Sequence, residues 1–183
     1  MMSAAALTTT WHEAKIGRSL AKTVFQKHLV LLPNSTWPGF ESDLLVVSPD
    51  LYLIDVEIKI ARQDLKADAG KKKWSANCDW PARIWKHYYA VPKVLWRREL
   101  LDALPSRQSG VLLLTANPPR YTELGARATS RYADTLPVIV DVVRYAQPNP
   151  AVDRLSHEEV IDIARLASLR MWDAFSSAEQ EAV

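Results

Sequence analysis

The chain has 183 residues, with 23 Lys and Arg against 21 Asp and Glu, a formal net charge of +2, and one cysteine, Cys78. That length suits one domain with a continuous core, and a lone cysteine excludes an internal disulfide framework, a thiolate zinc finger and a Cys-X-X-Cys redox pair. Apolar runs such as residues 29–32 fall far short of the roughly 20 residues of a membrane helix, and residues 1–10 lack the basic and apolar regions of a secretory signal. The expectation is therefore a cytoplasmic protein with a flexible leader over 1–10 and a single domain over 11–183.

In chain order, Ile16, Leu20 and Val24, with Ala21 and Phe25, recur at helical spacing and predict a first helix over 11–27. Residues 28–32 read as a strand ended by Pro33, and Asn34, Ser35, Pro38 and Gly39 make the next stretch a loop. Two β-prone runs, 43–48 and 51–60, flank the turn signal Ser48-Pro49-Asp50 and predict a hairpin. Residues 61–70 look helical, and 71–83 form a polar, basic loop broken by Pro81. A strand over 86–91 is followed by Pro92, placed to open a helix that Pro105 stops. Strands are expected over 110–115 and 137–145, with a turn-rich, arginine-rich stretch over 117–134 between them. After Pro148-Asn149-Pro150, Ser156 and Glu159 form a capping box for a final helix to about residue 175. A hairpin followed by alternating helices and strands predicts an α/β fold with a mixed central sheet flanked by helices.

The small net charge hides an uneven distribution. Residues 59–98 hold eleven basic and three acidic residues, +8, so the remainder carries −6. Trp74, Trp80, Trp85, Trp96, Tyr88 and Tyr89 interleave with that charge. Cations that neutralise phosphates beside aromatic faces that stack on bases are the footprint of a nucleic-acid groove. The plainer alternative is a solvated surface over core aromatics.

Within the 51–60 strand, Tyr52, Ile54, Val56, Ile58 and Ile60 share an apolar face, and Leu51, Leu53, Asp55, Glu57 and Lys59 share the other. The second face runs from apolar to charged, as a strand entering a polar cleft does. Asp43 joins that face only if the hairpin register pairs it with Glu57 or Asp55. A strict two-residue turn pairs it with Val56 instead, so a connection of three or five residues, or a bulge, is required. With that register, Asp43, Glu57 and the Ile58 backbone carbonyl converge as oxygen ligands for Mg²⁺ or Mn²⁺, and Lys59 orients or helps deprotonate a hydrolytic water at a phosphodiester.

Asp43, thirteen intervening residues and Glu57-Ile58-Lys59 at a hairpin end resemble the Asp…(Asp/Glu)-X-Lys signature of the restriction-endonuclease-like PD-(D/E)XK nuclease superfamily. The order helix, three-strand meander, helix, strand over 11–91 is similar to its core. Val56-Glu57-Ile58-Lys59 with Asp64, Asp68, Lys73-Trp74, Tyr88-Tyr89-Ala90-Val91-Pro92 and the ending Ile163-Ala164-Arg165-Leu166 to Arg170-Met171-Trp172 is similar to its MmcB-like branch, linked to DNA repair.

The resemblance implies a metal-dependent deoxyribonuclease in DNA repair or mobile-element processing, with Asp43, Glu57 and Lys59 catalytic and Glu13, Glu41, Asp64 and Asp68 as further acidic candidates. The aspartate is preceded by Ser42 rather than the superfamily's proline. Arg62, Lys66, Lys71, Lys72, Lys73, Trp74, Arg83 and Lys86 are the expected DNA contacts. Two alternatives stand beside it: a non-catalytic DNA-binding or partner-docking module on the same fold, and a metal-dependent RNase. For Glu57 and Lys59 the bland reading is a cross-strand surface ion pair. The four histidines lack metal-ligand spacing, and no phosphate-binding glycine loop exists among five glycines.

Overall fold

The computed structural model describes residues 10–74, 79–116 and 138–181. Cys78 and the 117–134 stretch lie outside these, so the readings made on them do too. Six strands form one mixed sheet in sequential order: β1 (Val30–Ser35), β2 (Ser42–Val47), β3 (Leu53–Ile58), β4 (Lys86–Pro92), β5 (Gly110–Ala116) and β6 (Val138–Arg144). β1, β2 and β3 are antiparallel, β4 and β5 continue parallel to β3, and β6 returns antiparallel. Among the described residues, three α-helices flank the sheet: α1 (Glu13–Lys22), α2 (Arg62–Ala67) and α3 (His157–Glu181). The expected α/β class with a mixed sheet is observed, and no helix among the described residues is long and apolar enough to cross a membrane.

One face of the sheet packs under α1. Ile16 and Leu20 meet Leu44, Val46, Ile54, Val56, Ile58, Ala90 and Leu112 there. The other face carries two separate apolar clusters. Leu32, Leu45, Val47 and Leu53 pack with Ile163 of α3, while Tyr89, Val91, Val111 and Leu113 pack with Leu65 of α2 and Leu100. Between these two clusters, on the same face, β3 presents Asp55 and Glu57.

Several boundaries differ from the sequence reading. α1 starts where the His12 ring accepts the Lys15 amide at 3.3 Å and stops at Lys22, because Thr23 leaves helical geometry and turns its amide to the Leu20 carbonyl. β1 runs through Pro33 instead of ending there. Among the described residues it pairs only with β2, so a residue without an amide is tolerated on this edge. The stretch after Pro92 is not one helix to residue 104 but two 3-10 turns, Lys93–Leu95 and Arg98–Leu101, separated by extended Trp96 and Arg97. α3 begins as the capping box predicts: the Ser156 amide donates to Glu159 Oε2 at 2.8 Å and the Glu159 amide to Ser156 Oγ at 3.2 Å. It extends past residue 175 to Glu181.

The hairpin has one of the connection lengths that the register requirement allows. Residues 48–52 form a five-residue connection, and Leu45 pairs with Asp55 and Leu44 with Val56, a register whose continuation sets Asp43 against Glu57. The ladder itself stops at Leu44 and Val56. Across on β1, Asn34 has φ 48° and is skipped between the Pro33–Leu44 and Ser35–Ser42 pairs. Asn is among the few residues that adopt this left-handed geometry readily. Asp43 thus sits where both ladders are interrupted.

Candidate active site

β3 is fully buried along its length, and its charged face is closed rather than lining an open cleft. Asp55 and Glu57 are both inaccessible, and so is Asp68, just beyond α2. Three lysines compensate them. Lys59 Nζ lies 2.5 Å from Glu57 Oε2 and 2.9 Å from Asp68 Oδ1. Lys71 Nζ lies 2.6 Å from the same Glu57 oxygen and 3.1 Å from Asp68 Oδ1. Lys73 Nζ lies 2.5 Å from Glu57 Oε1 and 2.9 Å from Asp55 Oδ2. Isolated buried charges are prohibitive, so alternation of acid and ammonium is what lets this face close.

The parallel β3–β4 pairing supplies the remaining partners. Asp55 is level with His87 and Glu57 with Tyr89. The Tyr89 hydroxyl donates to Asp68 Oδ2 at 2.5 Å, and the Trp74 indole N–H donates to the same oxygen at 3.2 Å. Ser42 Oγ donates to Asp55 Oδ1 at 2.5 Å, and His87 Nδ1 pairs with Ser109 Oγ at 2.9 Å.

The electrostatics divide these acids. For Glu57 burial favours the neutral form, but the Lys73 and Lys59 charges outweigh it and hold the carboxyl below its usual range. Asp68 is held well below as well: burial opposes, while Tyr89 and then Lys59 and Lys71 prevail. Burial wins at Asp55, whose pKa is raised despite Lys73. Burial and the Lys73 charge push His87 well below its ordinary value, leaving a neutral ring.

Asp43 stands apart from these ion pairs, in the cleft on the α1 side of the sheet. Its Oδ2 accepts the Ile58 amide at 2.7 Å. It lines a cleft of about 470 Å³ between α1 and the sheet, with Glu13 and Arg18 at the rim and Leu31, Leu44 and Ile58 among the apolar walls. Burial and the nearby Glu57 charge push its carboxyl up to about 6, against the Ile58 hydrogen bond and the Lys59 and Lys71 charges.

A folded-state value above the unfolded one means that the folded protein binds the extra proton, so stability falls as pH rises from about 4 to about 6. Asp43→Asn keeps an acceptor for the Ile58 amide and removes this cost. After discounting for the part of the group that sees solvent, it should stabilise the fold by about 1–2 kcal/mol near neutral pH. The gain should vanish near pH 4. Urea unfolding across that range is the check, and a gain independent of pH would contradict it.

Several site residues read from the sequence fall elsewhere. Lys73, expected to contact phosphate, and Trp74, expected to stack on bases, are interior groups. The lysine run follows a chain that turns back over β3, which buries the side chain of Lys73 and leaves Lys71 and Lys72 exposed. Asp64 and Asp68 do not share a role: Asp64 is exposed on α2, while Asp68 lies past the helix end and points inward. Glu13 reaches the cleft beside Asp43, and Glu41 is exposed.

Arg62, Lys66 and Lys72 remain at the surface, with the Arg62 Nε donating to the Leu95 carbonyl. Arg83 pairs with Glu159 and Lys86 lies over the Trp85 ring. Tyr89 was legible only as an aromatic. Its role follows from standing level with Glu57 across a parallel pair, which needs the sheet order.

Asp43 and Glu57 offer hard oxygen donors, and Mg²⁺ commonly needs only one or two carboxylates with several waters. The donor chemistry fits a divalent cation of that kind. Among the described residues, no group of three or more His, Cys, Asp and Glu side chains is arranged as a metal cage, and each Glu57 oxygen already faces an ammonium.

No family model matches the chain, and no curated protein matches it. Among solved structures it is similar to the SPO1766 protein of unknown function from Silicibacter pomeroyi, with a TM-score of 0.54 and 17% identity over 96% of each chain. At that identity the likeness is one of fold.

Proposed function

We propose that the protein is a metal-dependent nuclease of the PD-(D/E)XK type that hydrolyses DNA phosphodiesters. The observation that carries this reading is the placement of Asp43 just past the end of the β2–β3 ladder, facing a cleft and within electrostatic reach of Glu57 and Lys59. The strand order of an antiparallel three-strand meander followed by a parallel fourth strand also supports it.

When bound, Mg²⁺ or Mn²⁺ supplies a water of lowered pKa and Lewis acidity toward a phosphoryl oxygen. Asp43 and Glu57 would hold the cation, with the Ile58 carbonyl as a further donor. The Lys59 ammonium, fixed between Glu57 and Asp68, stabilises the charge that builds on the phosphate oxygens as water attacks phosphorus and the ester oxygen leaves. Arg62, Lys66 and Lys72 offer phosphate contacts at the surface.

The test is cleavage of single- and double-stranded DNA with Mg²⁺, Mn²⁺ or chelator, on variants whose fold is verified by circular dichroism. Lys59→Met and Glu57→Gln should each lower metal-dependent cleavage by roughly 100-fold or more. Metal-dependent cleavage that survives both substitutions, or its absence from the wild type, sinks the assignment.

A second reading has one specific observation behind it. Three lysines close Glu57 on both oxygens, as befits a DNA-binding or docking module that has exchanged catalysis for a stable core. That reading gives salt-sensitive DNA binding with no turnover in any metal.

A further inference from the structure

We propose that Lys71 is a resident counter-ion that holds the cation position of the site and is expelled when a divalent metal binds, so that metal loading frees a lysine for phosphate. The inference rests on the metal-binding part of the reading above.

The three lysines on Glu57 are not equivalent. The side chains of Lys59 and Lys73 are 6% and 2% exposed, whereas that of Lys71 is 41% exposed. Lys71 also follows the 3-10 turn Asp68–Gly70 with extended backbone. Its stem can swing into water without unwinding an element or stranding a buried charge. Lys59 and Lys73 have no such exit.

Charge balance points the same way. Asp43, Asp55, Glu57 and Asp68 oppose three ammoniums, which leaves one negative charge in excess when all four acids are ionised. Replacing the single charge of Lys71 by a dication brings the cluster to neutrality. Replacing either buried lysine gives the same sum but forces a covered ammonium through the fold.

Position agrees as well. Lys71 Nζ lies 2.6 Å from Glu57 Oε2, and its charge reaches Asp43. It therefore occupies one carboxylate oxygen of Glu57 and lies within electrostatic reach of Asp43. Once out, it joins Lys72 at the surface, where a phosphate is the natural partner for a solvated ammonium.

Calorimetric titration of Mn²⁺ and Mg²⁺ into wild type, Lys71→Met and Lys71→Arg tests this without any reference to turnover. Lys71→Met keeps the stem, removes the competing charge and should bind Mn²⁺ roughly five- to tenfold more tightly. Lys71→Arg keeps the competitor and should stay within about twofold of wild type.

In ¹³C-lysine spectra, saturating Mg²⁺ should move the Lys71 ε-methylene signal to the position of a solvated lysine and leave Lys59 and Lys73 near their own. Metal binding with equal affinity in wild type and Lys71→Met, or an unmoved Lys71 signal, overturns this inference alone. No metal binding by either protein overturns it together with the nuclease reading.

Discussion

Glu57→Ala should lower the unfolding free energy by about 3–5 kcal/mol, the range found when one partner of a buried ion pair is removed. The reason is local and countable. Glu57 accepts Lys59 and Lys71 on one oxygen and Lys73 on the other. Without it, three ammoniums share Asp55 and Asp68, and two of the three have no route to water.

Glu57→Gln retains an amide oxygen and the side-chain volume, so its cost should fall between wild type and Glu57→Ala. Urea unfolding of the three proteins gives the order directly. A Glu57→Ala protein within about 1 kcal/mol of wild type would mean that the cluster is not a buried network at all. A surface pair costs no more than that.

Asp68→Ala should cost about 3 kcal/mol or more, because it strands the Tyr89 hydroxyl, the Trp74 indole N–H and part of the charge on Lys59 in the interior. The pH dependence has a defined sign. The Asp68 carboxyl is held below its unfolded value, so its contribution is fully present above about pH 4 and is lost as pH falls through the lower folded value. Glu57 shifts in the same direction.

Wild-type protein should therefore lose stability on the acid side more steeply than Asp68→Asn, and the two curves should approach each other only below the ordinary carboxylate range. Tryptophan fluorescence suits this measurement, since Trp74 is bonded to the group that titrates. Parallel acid curves for the two proteins would contradict the assignment of Asp68 as the hub.

The sheet and its hairpin were legible because period-two alternation over 51–60 survives in β3, and because the register requirement had few solutions, of which the five-residue connection is one. The capping box at Ser156 and Glu159 was legible because both partners lie within four residues. What escaped depends on elements distant in sequence.

Nothing local distinguishes a solvated lysine from Lys73, which is interior because the 3-10 turn of Lys72–Trp74 folds back over β3. Pro33 reads as a strand terminator unless β1 is known to be an edge. Asp64 and Asp68 look equivalent by helical spacing, and only the end of α2 at Ala67 separates them. The Asp43, Glu57 and Lys59 constellation was visible as a motif, but its closure by Lys71, Lys73 and Tyr89 was not. Chemistry-bearing residue types were readable, and their neighbours across the sheet were not.

The interruption at Pro33 and Asn34 has a second effect besides setting Asp43 apart from the ladder. Among the described strands β1 is the outermost on its side, the place where a sheet is open to recruitment of a foreign strand and hence to aggregation. A proline with no amide to offer, followed by a left-handed residue that breaks the repeat, makes that border a poor template for growth. The same two residues that distort the strand beside the proposed catalytic aspartate thus guard the protein against polymerising through its own sheet, so repairing the distortion by substitution would trade solubility for regularity.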